Sequence, residues 1–447
     1  MSSCLCSLPL TVILTPRPRP TWLAASDGGR DPVGNRLTVG LLLTPNSHLR
    51  FFFISWAVLK LRGFLRDFGM LVVQKLKNLV VPFLLYFSMP PKISIIYLSY
   101  NVRNFLDEVL VAWEKVEYPR ESWEIIIVDN ASPDGSVDLI REKVLPKSGI
   151  TLPKVTLITN EVNSGFADGN RVGYELAVER GADYVFLENN DAKLTPRALA
   201  EAVALAESDP QIASVQSLML LWQNHEIVNS SGGVIQFLGF GFVRDNGKKI
   251  TDCHYQDGEE INYGSGAAVL YRVAALQKVG FLDSFLFLYH EDLDLGWRLR
   301  LAGYKNVLST KSIVYHYYEF KRSISKFFWM ERNRILVHVA HLKIPTLILL
   351  TPFLLVMELA LLLLSIKGGW LKDKLKVYSA LLSPHLWKHL WKKRRASQKL
   401  RTVSDREIVR LWSAKIEHQE TSSWLVERIG NPSLCLVWLV LKKIIIW

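Results

Sequence analysis

Two groups of residues in this 447-residue chain have types and spacings suited to chemistry. The first is a series of polar clusters, each directly after a β-branched run. They are Ser99-Tyr100-Asn101, then Asp129-Asn130-Ala131-Ser132, then Asn163-Ser164-Gly165-Phe166 with Asn170, then Glu188-Asn189-Asn190-Asp191. Turn and capping chemistry accounts for any one of them alone. Four at successive run ends are the pattern of an open α/β sheet gathering a ligand at the carboxyl edge of its strands. Asp191 is the acidic side chain that closes the fourth cluster. That suits a hard divalent cation, Mg2+ or Mn2+, held by few carboxylates and by substrate phosphates.

The second group is His290-Glu291-Asp292-Leu293-Asp294-Leu295-Gly296-Trp297-Arg298. Leu293, Trp297 and Leu301 recur at helical spacing, so a helix is expected to begin here with Glu291 and Asp292 in its first turn. Capping explains acidic residues there, and Asp294 with Arg298 forms an i, i+4 pair. The functional reading has Asp292 projecting into a pocket as a general base. Gly264-Ser265-Gly266 is small enough to let an acceptor approach the backbone closely. His316 ends a strand-like run and stands open between a structural role and that of a metal ligand.

The elements that must position these residues follow from periodicity. Strands are expected at 93–98, 124–129, 154–160 and 183–187, with helices at 104–116, 136–144, 167–180 and 196–207. Further strand-like runs lie at 212–216, 267–271 and 306–314. The alternation predicts one α/β domain over residues 89–320 with a central, mainly parallel sheet flanked by helices. A dinucleotide-binding version is excluded because Ser-Tyr-Asn-Val-Arg-Asn, without glycine, follows the first strand.

The stretches ISIIYLSYN, IIIVDNASPDGS, NEVNSGFADGN, LENND, YGSGAAVLYR and FLYHEDLDLGWRLRLAGY, in that order over about 230 residues, resemble the inverting family 2 glycosyltransferases of GT-A fold. The rhamnosyltransferase-like branch is most similar. The resemblance implies a nucleotide-sugar donor, with Ser99, Tyr100, Asn101, Asp129 and Asn130 on the nucleotide. Asn163, Gly165, Phe166, Asn170, Asn189 and Asn190 would line the same pocket. It further implies Asp191 on the metal, Asp292 as catalytic base with Glu291 beside it, and Gly264, Ser265 and Gly266 on the acceptor side. The DXD-like element begins with Asn189 here, one charge fewer than the family pattern. No QxxRW motif of processive polymer synthases is present, so the resemblance favours transfer of one or a few sugars over polymer extrusion. A catalytically degenerate nucleotide-sugar-binding protein and a nucleotidyltransferase are the alternatives.

The net charge of +12 divides unevenly. Residues 1–88 hold 10 basic and 3 acidic residues, residues 89–320 hold 21 and 31, and residues 321–447 hold 23 and 8. A nucleic-acid enzyme carries its positive field over the working domain; here that domain is acidic, so no nucleic-acid partner is expected. The basic, apolar flanks point to a membrane surface with anionic lipid, and to a saccharide acceptor that is lipid-linked. Residues 344–366 are long enough to span a bilayer, but Glu358 within them would cost about 3 kcal/mol if centred. A helix or broken hairpin in the interface, parted at Pro345 or Pro352, is the other reading. Residues 321–447 are therefore expected to be a membrane-associated helical region, with Trp387, Trp391 and Lys392–Arg395 in the headgroup layer. Residues 1–88 contain no Glu and read either as a membrane-inserting segment or as an extension upstream of a start at Met89. No spacing links the four cysteines into a disulfide framework or zinc site. The expectation is a membrane-associated enzyme with its catalytic domain on the cytoplasmic side.

Overall fold

The computed structural model describes residues 89–318, 326–417 and 426–447, all within one compact unit, Phe87–Trp447. Both expectations for residues 1–88 lie outside the described residues. In chain order the first half contains β1 (Ile93–Ser99), α1 (Leu106–Glu114), β2 (Trp123–Asp129), α2 (Ser136–Lys143), β3 (Lys154–Thr159), α3 (Gly165–Glu179), β4 (Tyr184–Asn189), β5 (Ala192–Leu194) and α4 (Ala198–Ser208). Then come β6 (Ile212–Leu221), β7 (Val228–Ser230), β8 (Gly233–Ile235), β9 (Gly241–Val243), β10 (Glu260–Ile261), β11 (Ala268–Arg272), α5 (Val273–Val279), α6 (Glu291–Leu301) and β12 (Lys305–His316).

The main sheet runs β10-β12-β6-β11-β4-β1-β2-β3, with β5 on β12 and β7 on β6. β4, β1, β2 and β3 are parallel, but β11 runs antiparallel between β4 and β6. β12 and β6 are again parallel, so the sheet is mixed, two parallel sets joined through the antiparallel β11. Apolar runs report burial on both faces and say nothing of strand direction.

Alternate residues of each strand feed two cores. Ile93, Ile95 and Tyr97 join Leu106, Val109 and Trp113 of α1. Ile96 joins Ala167 and Ala177 of α3 and Leu295 and Leu299 of α6. α3 lies so close to the sheet that a Cβ on Gly169 would come within 2.5 Å of Leu98 Cδ1.

After β12 follow α7 (Phe327–His341), α8 (Ile344–Lys367), α9 (Leu371–Leu381), α10 (Pro384–Leu400), α11 (Asp405–Ile408) and α12 (Asn431–Ile444). They build a third core against the far side of α6. Leu293, Trp297 and Leu301 meet Leu336, Val337 and Ala340 of α7, Leu386 and Leu390 of α10, and Trp438 and Leu441 of α12. α6 is thus clamped from both sides. α8 is one continuous helix through Pro352, so the broken-hairpin expectation does not hold. Glu358 is not left alone in an apolar helix: it pairs with Arg334 at 3.0 Å and with the fully buried Lys374 at 2.5 Å.

Candidate active site

The polar clusters do converge at the strand ends, and much of each is spent on holding its neighbours. Asp129 is buried, and its carboxylate accepts from Ser99 Oγ (3.0 Å), Ser132 Oγ (2.6 Å) and the Ser132 amide (3.0 Å). A ligand hydroxyl has to compete with these donors. Tyr100, by contrast, is 41% exposed and follows directly from β1. Asn101 beside it takes φ 58°, and its amide donates to Ser132 Oγ at 3.2 Å.

Asn130 is buried and ties two loops together. Its amide group donates to Asn163 Oδ1 and the Gly165 carbonyl, and its oxygen accepts from Asn160 and Ser164. Gly165 has φ +83°, and a Cβ there would sit 2.7 Å from the Phe287 carbonyl. That close approach lets the Phe166 amide donate to the same carbonyl at 2.9 Å. The loop after β3 is thereby fastened to the loop before α6. Phe166 also lies over Gly266, where a Cβ would meet its ring at 2.8 Å. Asn170 is 1% exposed and its side chain is spent on the Phe166 carbonyl. It supports the loop and is not open to a ligand.

At the end of β4, Tyr97 Oη donates to the Asn190 carbonyl at 3.0 Å and Asn190 Nδ2 donates to the Tyr100 carbonyl at 2.6 Å. Asn189 donates its backbone N–H to the Ala267 carbonyl. β5 pairs with β12 so that Ala192 stands opposite His316. That register brings His316 Nε2 to 3.2 Å from Asp191 Oδ1. The ring's other nitrogen, Nδ1, faces Asn229 Oδ1 at 2.9 Å. Among the described residues no cluster of three or more His, Cys, Asp or Glu is poised for a metal. The Asp191–His316 donor set fits a divalent cation completed by substrate oxygens.

Asp292 stands in the first turn of α6, where Oδ1 accepts from the Leu293 amide (2.7 Å) and Oδ2 from the Gly266 amide (3.3 Å). Gly266 is two residues ahead of Ala268, the β11 residue paired with Glu188. The carboxylate is thus linked through one short loop to the strand end that carries Asp191. Ser265 contributes by donating its amide to Gln216 Oε1 at 2.9 Å. Burial pushes Asp292 up to about 6, against the pull of the Leu293 and Gly266 amides. Burial and the charge of Asp292 hold Glu291 well above the usual carboxylate range. Phe287, Tyr289 and His290, just ahead of the helix, all take φ between 63° and 68°. Three such residues in a row of four mark a strained loop that the surroundings must hold.

What holds it was not visible in the motifs. Asn333 of α7 donates to the carbonyls of Leu286 (2.9 Å), Leu288 (3.0 Å) and Tyr289 (2.8 Å). Arg332 donates to the Phe285 carbonyl at 2.7 Å and lies over Trp329. Their only signal in the sequence is a charged stretch, Glu331-Arg332-Asn333-Arg334, inside an otherwise apolar helix. The expected Asp294–Arg298 pair is present at 2.9 Å, and Asp294 also receives His341 and Lys393, both at 2.8 Å.

Residues 94–280 match glycosyl transferase family 2. An N-acetylglucosaminyl-diphospho-decaprenol L-rhamnosyltransferase of Mycobacterium tuberculosis is 25% identical over 43% of this chain and 66% of its own length. A dolichyl N-acetyl-alpha-D-glucosaminyl phosphate 3-beta-D-2,3-diacetamido-2,3-dideoxy-beta-D-glucuronosyltransferase of Methanococcus voltae is 23% identical over 53% of this chain and 69% of its own. Among solved structures, a mannosyltransferase of Pyrobaculum calidifontis in complex with GDP-Man and Mn2+ is similar at a TM-score of 0.43 and 16% identity, over 73% of this chain and 96% of that one.

Proposed function

From the premise that residues 94–280 are a family 2 glycosyl transferase domain, we propose that the protein moves a sugar, with inversion, from a nucleotide-sugar donor to a hydroxyl of a lipid-linked saccharide in cell-surface glycan synthesis. The observation that carries this reading is Asp292, a carboxylate raised to about 6 and held by two amides beside the strand ends. Such a group is ionised at neutral pH yet basic enough to take a proton from an acceptor hydroxyl. General-base assistance of this kind is typically worth ~10²–10⁴-fold.

Tyr100 offers an exposed ring to the nucleotide base, and the loop from Asn163 to Phe166 closes the donor side. Glu291, raised by burial and by the charge of Asp292, stands beside the base in the first turn of α6. Asp191 and His316 would hold a divalent cation, and such a cation supplies positive charge to the departing diphosphate. The two curated relatives named above act, by their names, on lipid-borne sugars, and α8 gives this chain an apolar surface. We place the catalytic unit on the cytoplasmic side of a membrane; the described cysteines, Cys253 and Cys435, are free, which accords with a reducing compartment.

Asp292→Asn is expected to cut transfer of a labelled nucleotide-sugar by at least ~100-fold while donor affinity holds. In the wild type, kcat is expected to fall as pH drops through about 6, because the base must be ionised. Wild-type turnover by the Asn variant would remove Asp292 from the reaction. Donor binding without turnover by the wild-type protein would favour a degenerate binding protein instead.

A further inference from the structure

α8 is apolar throughout, but its two sides have different surroundings. Thr346, Leu350 and Ser365 are buried, and Leu347, Phe353, Leu354 and Met357 pack on the α6–α7 core. Glu358 continues the same side through its pairs with Arg334 and Lys374. From Thr346 to Glu358 these positions recur every three or four residues, so that face is seated on the body, and Ser365 is buried again near the helix end. The opposite face carries Ile348 (67% exposed), Leu355 (65%), Val356 (69%), Leu359 (58%) and Leu363 (58%).

At ~1.5 Å per residue the helix is about 36 Å long, enough to cross a ~30 Å hydrocarbon core. The packing argues against crossing. The body under α8 includes Glu331, Arg334 and Lys374, charged groups that pair with one another and sit on or against the helix that holds the loop before Asp292. Spanning would either draw these charges into hydrocarbon or peel α8 away and strip Lys374 of a partner.

The N-terminal end of α8 lies beside a cationic hollow. Trp447 Nε1 donates to Thr346 Oγ1 at 2.8 Å, and Thr346 Oγ1 donates to Asp405 Oδ2 at 2.5 Å. Adjoining Asp405, Arg406 and Arg410 with Lys442 and Lys443 line a cavity of about 700 Å³. Glu407 is also in its wall, and Arg410 bonds to Glu260 at 2.6 Å, so the hollow keeps a positive excess.

We propose that α8 lies flat in the surface of an anionic bilayer, its outward apolar face among the acyl chains and the Arg406/Arg410/Lys442/Lys443 group against lipid phosphates. An apolar face beside cations is the arrangement that holds a helix in the plane of a charged interface. This inference rests on the membrane reading above and not on the transfer reaction.

The test uses the full chain with an environment-sensitive dye on a single cysteine at position 348, 355, 359, 363 or 366, the natural cysteines replaced. Each variant is mixed with phosphatidylcholine vesicles with or without phosphatidylglycerol, and dye depth is read by lipid-borne quenchers. A flat helix gives one shallow depth at all five positions. A spanning helix gives its deepest signal at 355–359 and shallow signals at both ends, which overturns the proposal. Arg406→Gln with Lys443→Gln is expected to weaken binding to anionic vesicles about tenfold, with transfer to a water-soluble acceptor unchanged. No vesicle binding at any lipid composition, with transfer intact, overturns the membrane seat while leaving the reaction standing. A dimer by light scattering together with no vesicle binding would assign the face to a second copy, and so also sinks the proposal.

Discussion

Asn333 holds the loop ahead of the candidate base from a helix that the motifs did not mark. Its side-chain amide group holds the carbonyls of Leu286, Leu288 and Tyr289. Its oxygen accepts from Arg332, which prevents the side chain from flipping. The held segment contains two of the three residues with positive φ before α6, a conformation that costs energy wherever a side chain is present. Asn333→Ala leaves three carbonyls with one donor group fewer and is expected to cost about 1–3 kcal/mol of stability. The loop would relax and move Asp292. An ångström of misplacement is worth on the order of 10²-fold in rate, so kcat should drop by ~10–100-fold with donor KM little changed. Steady-state kinetics on the folded variant read this split. A variant that loses donor affinity and keeps kcat would show that the loop serves the donor instead.

The helices α6 and α7 meet through buried imidazoles. His290, His338 and His341 are all buried deeply enough that desolvation lowers them, to about 4, 3 and 4. In the unfolded chain each takes a proton near 6.5. The folded state therefore binds fewer protons than the unfolded state below that value, and stability is lost as pH falls from about 6.5 toward 4. Each tenfold loss of proton affinity on folding is worth about 1.4 kcal/mol. Neither ring nitrogen of His338 has a hydrogen-bond partner, and the ring sits between Trp297 and Trp412. His338→Phe is expected to leave Tm at pH 7.5 within a few degrees and to flatten its decline below pH 6.5. A decline as steep as the wild type's would exclude His338 as its source. At this scale the sequence was only half readable. The strand ends and the start of α6 follow from apolar periods, and the polar clusters fall where the turns are. The antiparallel insertion of β11 was hidden, because a buried run looks the same in either direction. α7 was hidden because its charges read as a basic flank, whereas Arg332 and Arg334 are buried against carbonyls and Glu331.

The same confusion of sign and place runs through the whole chain's charge. The basic excess after residue 320 pointed to lipid, yet a good part of it is used internally. Lys374 is fully buried, Arg394 donates to the Leu342 carbonyl, Arg401 pairs with Asp405, and Lys393 pairs with both Asp283 and Asp294. Lys393 and Arg394 were expected in a headgroup layer with Trp387 and Trp391; the two tryptophans are exposed, but those two cations face inward. Burial alone would raise Glu331, but Arg334 and Lys374 outweigh it and hold the carboxyl down to about 2. The C-terminal helices are thus a structural half of the same compact unit, and the proposed membrane-facing surface is only one part of them. A fragment of residues 89–318 is expected to lack a cooperative thermal transition and to show no transfer, since it strips Trp297, Leu301 and Asp294 of their cover. Circular dichroism melting and limited proteolysis of that fragment decide the matter; a sharp transition with wild-type turnover would make the tail a mere anchor.

The pairing of Glu358 with Lys374 also sets an order of events during synthesis. Glu358 leaves the ribosome sixteen residues before its partner, a delay of about 1–3 s at ~5–20 residues per second. Arg334 and Glu331, by contrast, have already emerged. For that interval the nascent chain carries a long greasy segment whose one acid can be neutralised only from behind, by the newly made α7. A chain that docks α7 onto the finished sheet first has somewhere to fold this segment back; a chain that does not presents it to the insertion machinery as an ordinary span. Arg334 is the partner made first, so α7 has to be in place for the segment to fold back with its acid paired before Lys374 arrives.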